Sequence, residues 1–124
     1  MVMSAVNART PFALSSEVAA AFISIVTHPK FPSGPTPLSA AWSQVDTLAD
    51  RSNCRLVYPT NHGWIHFRKL TLESKAAGKW VADARHAAVA IEKGCTWVTR
   101  NRDFKRFTSQ GLILRILEPP PLLS

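Results

Sequence analysis

Apolar positions along the chain recur with two different periods, and the alternation of these periods predicts a fold class. Stretches with apolar residues three or four positions apart indicate helices, and short unbroken apolar runs between them indicate strands. The strands are predicted at residues 11–14, 54–58, 96–98 and 112–117. Strands that alternate with helices indicate an α/β fold with a largely parallel sheet, in which functional groups gather beyond the carboxyl ends of the strands.

Four helices are predicted between these strands, each of them bounded by capping residues or by chain breakers. They cover approximately residues 16–28, 39–51, 61–72 and 81–93. The expected caps are Ser15 or Ser16, then Ser39 and Thr60, because short hydroxyl side chains accept hydrogen bonds from the first turn of a helix. Glu17 lies in the first turn of the first helix, where its charge complements the helix dipole.

Length and composition predict one globular domain. The chain has 124 residues, of which 46% are hydrophobic and 19% are charged, so it can bury one core but has no room for a second domain. Residues 1–10 show no periodic pattern and are expected to be a disordered lead-in. The four tryptophans fall mostly on apolar faces and are expected in the core, namely Trp42, Trp64, Trp80 and Trp97.

No pattern in the sequence indicates a membrane protein or a secreted one. The apolar runs are all shorter than the roughly 20 residues that span a bilayer, and the chain does not open with a basic segment followed by an apolar stretch. Cys54 and Cys95 lie next to predicted strands and are interpreted as buried free thiols of a reducing compartment. The sequence therefore predicts a cytoplasmic protein.

The balance of charge favours a polyanionic partner. Fifteen Lys and Arg residues against eight Asp and Glu residues give a net charge of +7 and a pI near 10.1, which favours nucleic acid first and an acidic protein second. The densest cationic run consists of Arg100, Arg102, Lys105 and Arg106. These side chains are candidates for binding RNA phosphates, and the alternative is that they form a solvated face.

Two carboxylates are the candidate chemistry of the chain. Asp83 is predicted in the first turn of the fourth helix, and Asn101 and Asp103 follow the third strand. Carboxylates from separate elements that meet at one edge of a sheet suit a hard divalent cation. The alternatives are structural: Asp83 caps its helix or pairs with Arg85 or His86, and the other two residues cap the next short helix.

Residues 81–95 and 97–107 resemble the C-terminal half of PIN-domain proteins, and the group they resemble most is the VapC-type toxins of bacterial toxin–antitoxin modules. The resemblance is specific at the DxxxAAxAxxxGC and TxNxDF segments. Residues 11–15 and 22–29 are similar to the family's second strand and following helix, so the resemblance covers about residues 11–117. It implies a three-layer α/β/α fold with a mostly parallel sheet.

The resemblance implies a metal-dependent endoribonuclease, in which an acidic cluster holds one or two Mg²⁺ or Mn²⁺ ions. Asp83 and Asp103 match acids of the family, whereas Asn101 stands where an acid is common. Ala21 stands where the family usually has a glutamate. Glu17, one helical turn earlier, is the candidate replacement as a metal ligand, and the alternative is that it only favours the start of its helix. The implied products carry a 5′-phosphate and a 3′-hydroxyl, and the implied partners are RNA, a cognate antitoxin and a second copy of the chain.

One part of the family pattern is missing from the sequence. PIN domains open with a strand that carries an Asp, and residues 1–10 contain no acid, so the resemblance implies a domain that lacks the family's first strand. Three hypotheses follow. The chain is a Mg²⁺-dependent endoribonuclease toxin, or a degenerate PIN remnant that binds antitoxin or RNA without cleaving, or an unrelated basic RNA-binding module whose acids are structural.

Overall fold

Helices and strands alternate along residues 10–118, the part of the chain that this computed structural model describes. These residues divide into an N-terminal unit, residues 10–58, and a C-terminal unit, residues 59–118. Each unit contains one pair of parallel strands together with two α-helices. The predicted α/β class with parallel strands is confirmed. The predicted disordered lead-in, apart from Thr10, and the position of the family's first strand lie outside the described residues.

The N-terminal unit begins with a strand that leads directly into a helix. Its elements are β1 (Phe12–Ser15), α1 (Ser16–Val26), α2 (Leu38–Ala49) and β2 (Cys54–Val57). The two strands run parallel, with Phe12 opposite Cys54. The hydroxyl of Ser15 accepts a hydrogen bond from the main-chain nitrogen of Val18 at 3.0 Å, so the predicted cap of α1 is confirmed. The buried core of this unit consists of Leu14, Val45 and Leu48.

The C-terminal unit is built around the alanine-rich helix. Its elements are α3 (Asn61–Ser74), α4 (Lys79–Lys93), β3 (Thr96–Thr99), a 3₁₀ helix (Arg102–Gln110) and β4 (Ile113–Ile116). β3 runs parallel to β4, with Thr96 opposite Ile113. Ala84 and Ala87 of α4 are completely buried, as is Phe107 of the 3₁₀ helix. Because alanine side chains are short, α3 and the 3₁₀ helix pack closely on α4.

The predicted helices and strands are all present, and their ends differ from the predicted ends by at most two residues. Thr60 caps α3 as predicted, since its hydroxyl accepts a hydrogen bond from the main-chain nitrogen of His62 at 3.3 Å. Gly94 ends α4 with a φ of 64°, a left-handed conformation that favours glycine. Cys54 and Cys95 are free thiols, as predicted, but they are half-buried instead of buried. None of the helices within residues 10–118 is long and apolar enough to cross a membrane.

Two predicted helix starts are wrong. α2 begins at Leu38 behind Pro37, whose ring holds it in an extended conformation (φ −56°, ψ 140°), and Ser39 lies inside the helix instead of capping it. α4 begins at Lys79, two residues earlier than predicted, so Asp83 lies in the second turn of the helix. The alternative in which Asp83 caps its helix is therefore excluded.

Two of the four tryptophans are not in the core. Trp42 is 48% exposed and Trp64 is 66% exposed. Trp80 and Trp97, which both lie in the C-terminal unit, are half-buried. On α2 the buried residues are Ala41, Val45 and Leu48. Trp42 follows Ala41 directly, so it is rotated by about 100° around the helix axis from this buried stripe, and its side chain lies towards solvent.

Gly63 lies where a buried carboxylate approaches the start of α3. The side chain of Glu92, near the end of α4, is 6% exposed. Its carboxylate accepts hydrogen bonds from the main-chain nitrogen of Thr60, at 3.1 Å, and from the hydroxyl of the same residue. A Cβ atom built on Gly63 would lie 2.7 Å from Oε1 of Glu92. Glycine at this position therefore makes room for a carboxylate that ties α4 to the N-terminus of α3.

We expect Gly63→Ala to lower the free energy of unfolding by about 1 kcal/mol. Displacing the carboxylate of Glu92 costs its hydrogen bonds to Thr60, roughly 1–3 kcal/mol, and the higher helix propensity of alanine offsets about 0.5–1 kcal/mol of this. In a Glu92→Ala background the same substitution should be neutral or stabilising, because no carboxylate then meets the added methyl group. Urea denaturation of the wild type, the two single variants and the double variant measures both effects. An equal loss in both backgrounds would contradict the assigned contact.

Candidate functional site

The C-terminal unit brings two of the candidate carboxylates close to each other. Asp83 lies in the second turn of α4, and Asp103 lies in the first turn of the 3₁₀ helix that follows β3. The two elements pack against each other. The negative charge of Asp103 reaches Asp83 and contributes to raising the pKa of that carboxyl group. Two like charges in one place form an anionic site that attracts a cation.

The surroundings of Asp83 leave part of its carboxylate unsatisfied. Burial is the largest cause of its raised pKa, while the positive charges of Lys79 and Arg106 and the nearby His86 act in the opposite direction. Its Oδ2 atom is buried and accepts no hydrogen bond from residues 10–118. A buried polar atom without a partner is costly and calls for an explanation. A cation held between the two carboxylates would supply the missing partner.

Asp103 has a cationic neighbour on α4. The Nζ atom of Lys79 lies 3.5 Å from Oδ2 of Asp103, and the two side chains are 75% and 41% exposed. An ion pair with this much exposure contributes little to stability, because water and salt screen it. Lys79 is thus a weakly bound counter-charge of Asp103.

Asn101 acts as a helix cap. Its Oδ1 atom accepts a hydrogen bond from the main-chain nitrogen of Asp103 at 2.9 Å, and Asn101 is the N-cap residue of the 3₁₀ helix. This is the structural alternative that the sequence left open for Asn101. The cap fixes the start of the 3₁₀ helix and with it the position of the Asp103 side chain. A role for Asn101 as a metal ligand stays a prediction.

The four cations of the run 100–106 differ in what they contact. Arg102 donates two hydrogen bonds to the carboxylate of Glu118, at 2.7 and 2.9 Å. The guanidinium of Arg106 lies over the ring of Trp80, 3.4 Å from its centroid, and its Nε atom donates to the main-chain oxygen of Asp103 at 3.2 Å. Arg100 and Lys105 are exposed. The four cations cannot be told apart from the sequence, whereas in the structure Arg106 differs from the other three by its contact with Trp80.

Sequence reasoning missed Trp80 and Lys79 as neighbours of the site. Both precede Asp83 on α4, Trp80 by three positions and Lys79 by four, a spacing that places side chains on one face of a helix. The signal became readable only once the helix was known to start at Lys79. The sequence predicts Trp80 in the core, and it gives no indication of the contact between Trp80 and Arg106.

The fourth predicted metal ligand belongs to the other unit. Glu17 lies in the first turn of α1, behind the Ser15 cap. Its part in metal binding stays a prediction. Among the described residues, 10–118, no group of three His, Cys, Asp or Glu side chains is arranged to hold a metal ion.

The carboxylate pair nevertheless fits one class of cation. Mg²⁺ and Mn²⁺ prefer oxygen ligands, and Mg²⁺ is often bound through one or two carboxylates while water and substrate phosphates complete its coordination. Asp83 and Asp103 provide such a pair, and Oδ2 of Asp83 has a free lone pair for it. A metal ion at this pair would need water or substrate oxygens to complete its coordination.

The raised pKa of Asp83 predicts how stability depends on pH. The pKa of Asp83 is higher in the folded protein than in the unfolded chain, so between these two pKa values the folded protein binds more protons. The contribution of Asp83 to stability is therefore fully present below its pKa in the unfolded chain, and it is lost as the pH rises through its pKa in the folded protein. We expect the free energy of unfolding of Asp83→Asn to decline less over this window, and the variant to be at least as stable as the wild type at neutral pH without metal. Urea denaturation curves recorded between pH 3 and 8, at intervals of about half a pH unit, measure the free energy of unfolding of both proteins. The exposed Asp46→Asn is the control, and a variant less stable than this control at neutral pH would contradict the prediction.

Comparison with known proteins gives one family match and several relatives. The sequence model described as PIN domain matches residues 3–109. A Mycobacterium tuberculosis protein named Ribonuclease VapC43 is 36% identical over 101 residues, which are 82% of this chain and 69% of that protein. Ribonuclease VapC31 of the same organism is 33% identical over 113 residues, 89% of this chain and 75% of that protein.

Two solved structures share the fold. The crystal structure of VapBC2 from Rickettsia felis, bound to a DNA fragment from its promoter, aligns with a TM-score of 0.63 and 23% identity over 87% of this chain and 76% of that one. The structure of VapBC-1 from nontypeable Haemophilus influenzae aligns with a TM-score of 0.65 and 19% identity over 91% of this chain and 79% of that one. At these identities the likeness shows a common fold.

Proposed function

The chain belongs to the PIN-domain family, and from this membership we propose that it is a metal-dependent endoribonuclease of the VapC type. The observation that carries the proposal is the pair Asp83 and Asp103. Their charges interact between α4 and the 3₁₀ helix, and the buried Oδ2 atom of Asp83 accepts no hydrogen bond from residues 10–118. The names of the relatives support the reaction class, since VapC43 and VapC31 are both called ribonucleases.

Mg²⁺ or Mn²⁺ is the proposed cofactor, and Asp83 and Asp103 are the residues that would hold it. When bound, such an ion supplies a water of lowered pKa and positive charge beside the phosphate. Burial of Asp83 strengthens its attraction for a cation, because fewer water molecules screen the charge. In the proposed reaction the oxygen of water bonds to phosphorus as the bond to the 3′ oxygen breaks. The 3′ oxygen leaves with a proton from that water, so the products carry a 5′-phosphate and a 3′-hydroxyl.

The proposal includes the partners and the location. RNA is the proposed substrate, and the net charge of +7 favours its association. The resemblance to VapC-type toxins supports a cognate antitoxin that masks the carboxylate pair, and a homodimer. A cytoplasmic location belongs to the same proposal, because a toxin of this type acts on cellular RNA.

Cleavage of a structured RNA by the purified chain tests the proposed function. We expect cleavage in millimolar Mg²⁺ or Mn²⁺, loss of cleavage with EDTA, recovery when excess metal is restored, and products that carry a 5′-phosphate. Calorimetry with each metal measures binding independently of cleavage. The absence of both cleavage and metal binding would overturn the proposal, and RNA binding without cleavage would instead indicate a non-cleaving member of the family.

A further inference from the structure

Trp80 and Arg106 lie beside the carboxylate pair and form a contact of their own. We propose that Arg106 binds a non-bridging oxygen of the phosphate that is cleaved, and that Trp80 is a positioning residue that holds the Arg106 guanidinium for this task. The inference rests on the proposed function, since it assigns a substrate contact within that site. It ranks Arg106 above the other cations of the run 100–106.

The contacts of Arg106 orient its guanidinium and leave one edge of it available. The central carbon of the guanidinium lies over the Trp80 ring, 3.4 Å from its centroid, and Nε donates to the carbonyl of Asp103. Neither terminal nitrogen of Arg106 donates a hydrogen bond to any residue of the described range, 10–118. Two parallel N–H groups on a rigid plane match the spacing of two phosphate oxygens.

The positions of both residues follow from helix geometry. In a 3₁₀ helix the side chains at positions i and i+3 lie directly above one another, so Arg106 lies on the same face as Asp103. On α4, Trp80 precedes Asp83 by three residues and shares its face. The positive charge of Arg106 also lowers the pKa of Asp83, which agrees with a guanidinium close to both carboxylates.

The stacked contact gives Arg106 an energetic advantage over its neighbours. A cation over a tryptophan ring gains about 0.5–2 kcal/mol, and a side chain that is already ordered loses less conformational freedom when a ligand binds. The guanidinium of Arg102 is instead held by the carboxylate of Glu118, and Arg100 is exposed. The substrate would therefore bind a guanidinium that is already oriented at Arg106.

Steady-state cleavage of RNA in Mg²⁺, with binding of a non-cleavable 2′-O-methyl RNA, tests the proposal on the full chain. We expect Arg106→Gln to lower kcat/KM by about 10²-fold, and Arg106→Lys to recover only part of this because an ammonium group cannot offer two parallel donors. Trp80→Leu should lower kcat/KM by about 10-fold, and Trp80→Phe, which keeps an aromatic face, should restore most of it. Arg100→Gln is the charge-matched control.

Thermal unfolding of each variant separates positioning from folding. If Trp80→Leu and Trp80→Phe lower the melting temperature but leave kcat/KM and KM unchanged, Trp80 is a core residue and the proposal is overturned. It is also overturned if Arg106→Gln and Arg100→Gln reduce RNA affinity equally. If the wild type binds the RNA but does not cleave it, the proposed function fails, and the comparison of affinities still decides the role of Arg106.

Discussion

Asp83→Asn is expected to reduce RNA cleavage by about 10²–10³-fold while the protein stays folded. Asparagine keeps the shape of the side chain but removes the charge that attracts a divalent cation. The position is half-buried, where charge is only partly screened by water. The loss should therefore appear in kcat/KM measured at saturating Mg²⁺, and in the metal affinity measured by calorimetry.

Two further variants make this prediction specific. Asp103→Asn should cause a loss of similar size, because both carboxylates contribute to one site. Asp46→Asn removes the same charge from an exposed position on α2 and should leave the cleavage rate unchanged. Cleavage by Asp83→Asn at the rate of Asp46→Asn would mean that Asp83 has a structural role only.

Phe107→Ala is expected to lower the free energy of unfolding by about 3–5 kcal/mol, the usual cost of emptying a buried aromatic site. Phe107 is completely buried, and its ring packs edge-on against that of Phe104, with 6.1 Å between the centroids. Its neighbours include the short alanines of α4, which cannot expand to fill the space. The C-terminal unit should therefore be close to unfolding in this variant.

Urea denaturation followed by circular dichroism measures the loss. Ile113→Ala is the control, because Ile113 is 59% exposed on β4 and should cost less than about 0.5 kcal/mol beyond its strand propensity. A loss below about 1 kcal/mol in Phe107→Ala would mean that neighbouring residues collapse into the cavity.

The sequence predicted those parts of the fold that depend on local interactions. Ser15 and Thr60 cap their helices, and Gly94 ends α4, because each effect acts within one helical turn. Apolar residues three or four positions apart indicated the helices, and on α4 two residues spaced in this way, Ala84 and Ala87, are completely buried. The resemblance to PIN domains is confirmed by the family match over residues 3–109.

The sequence did not predict features that depend on where neighbouring elements lie. Trp64 is apolar and occupies a helical pattern, yet it is exposed, because α3 presents Gly63 and Leu70 to the unit's interior. The stacking of Arg106 on Trp80 joins residues 26 positions apart, a distance that no local pattern spans. Candidate site residues could be identified by type, whereas their partners required the structure.

The two cysteines offer a way to follow the units separately. Cys54 belongs to the N-terminal unit and Cys95 to the C-terminal unit. Burial raises the pKa of the Cys54 thiol, and because the thiolate is the reactive form, this residue should be alkylated slowly at neutral pH while its unit is folded. Mass spectrometry of the labelled peptides after pulses of an alkylating reagent would thus distinguish opening around β2 from opening around β3. The chain carries a natural probe in each half.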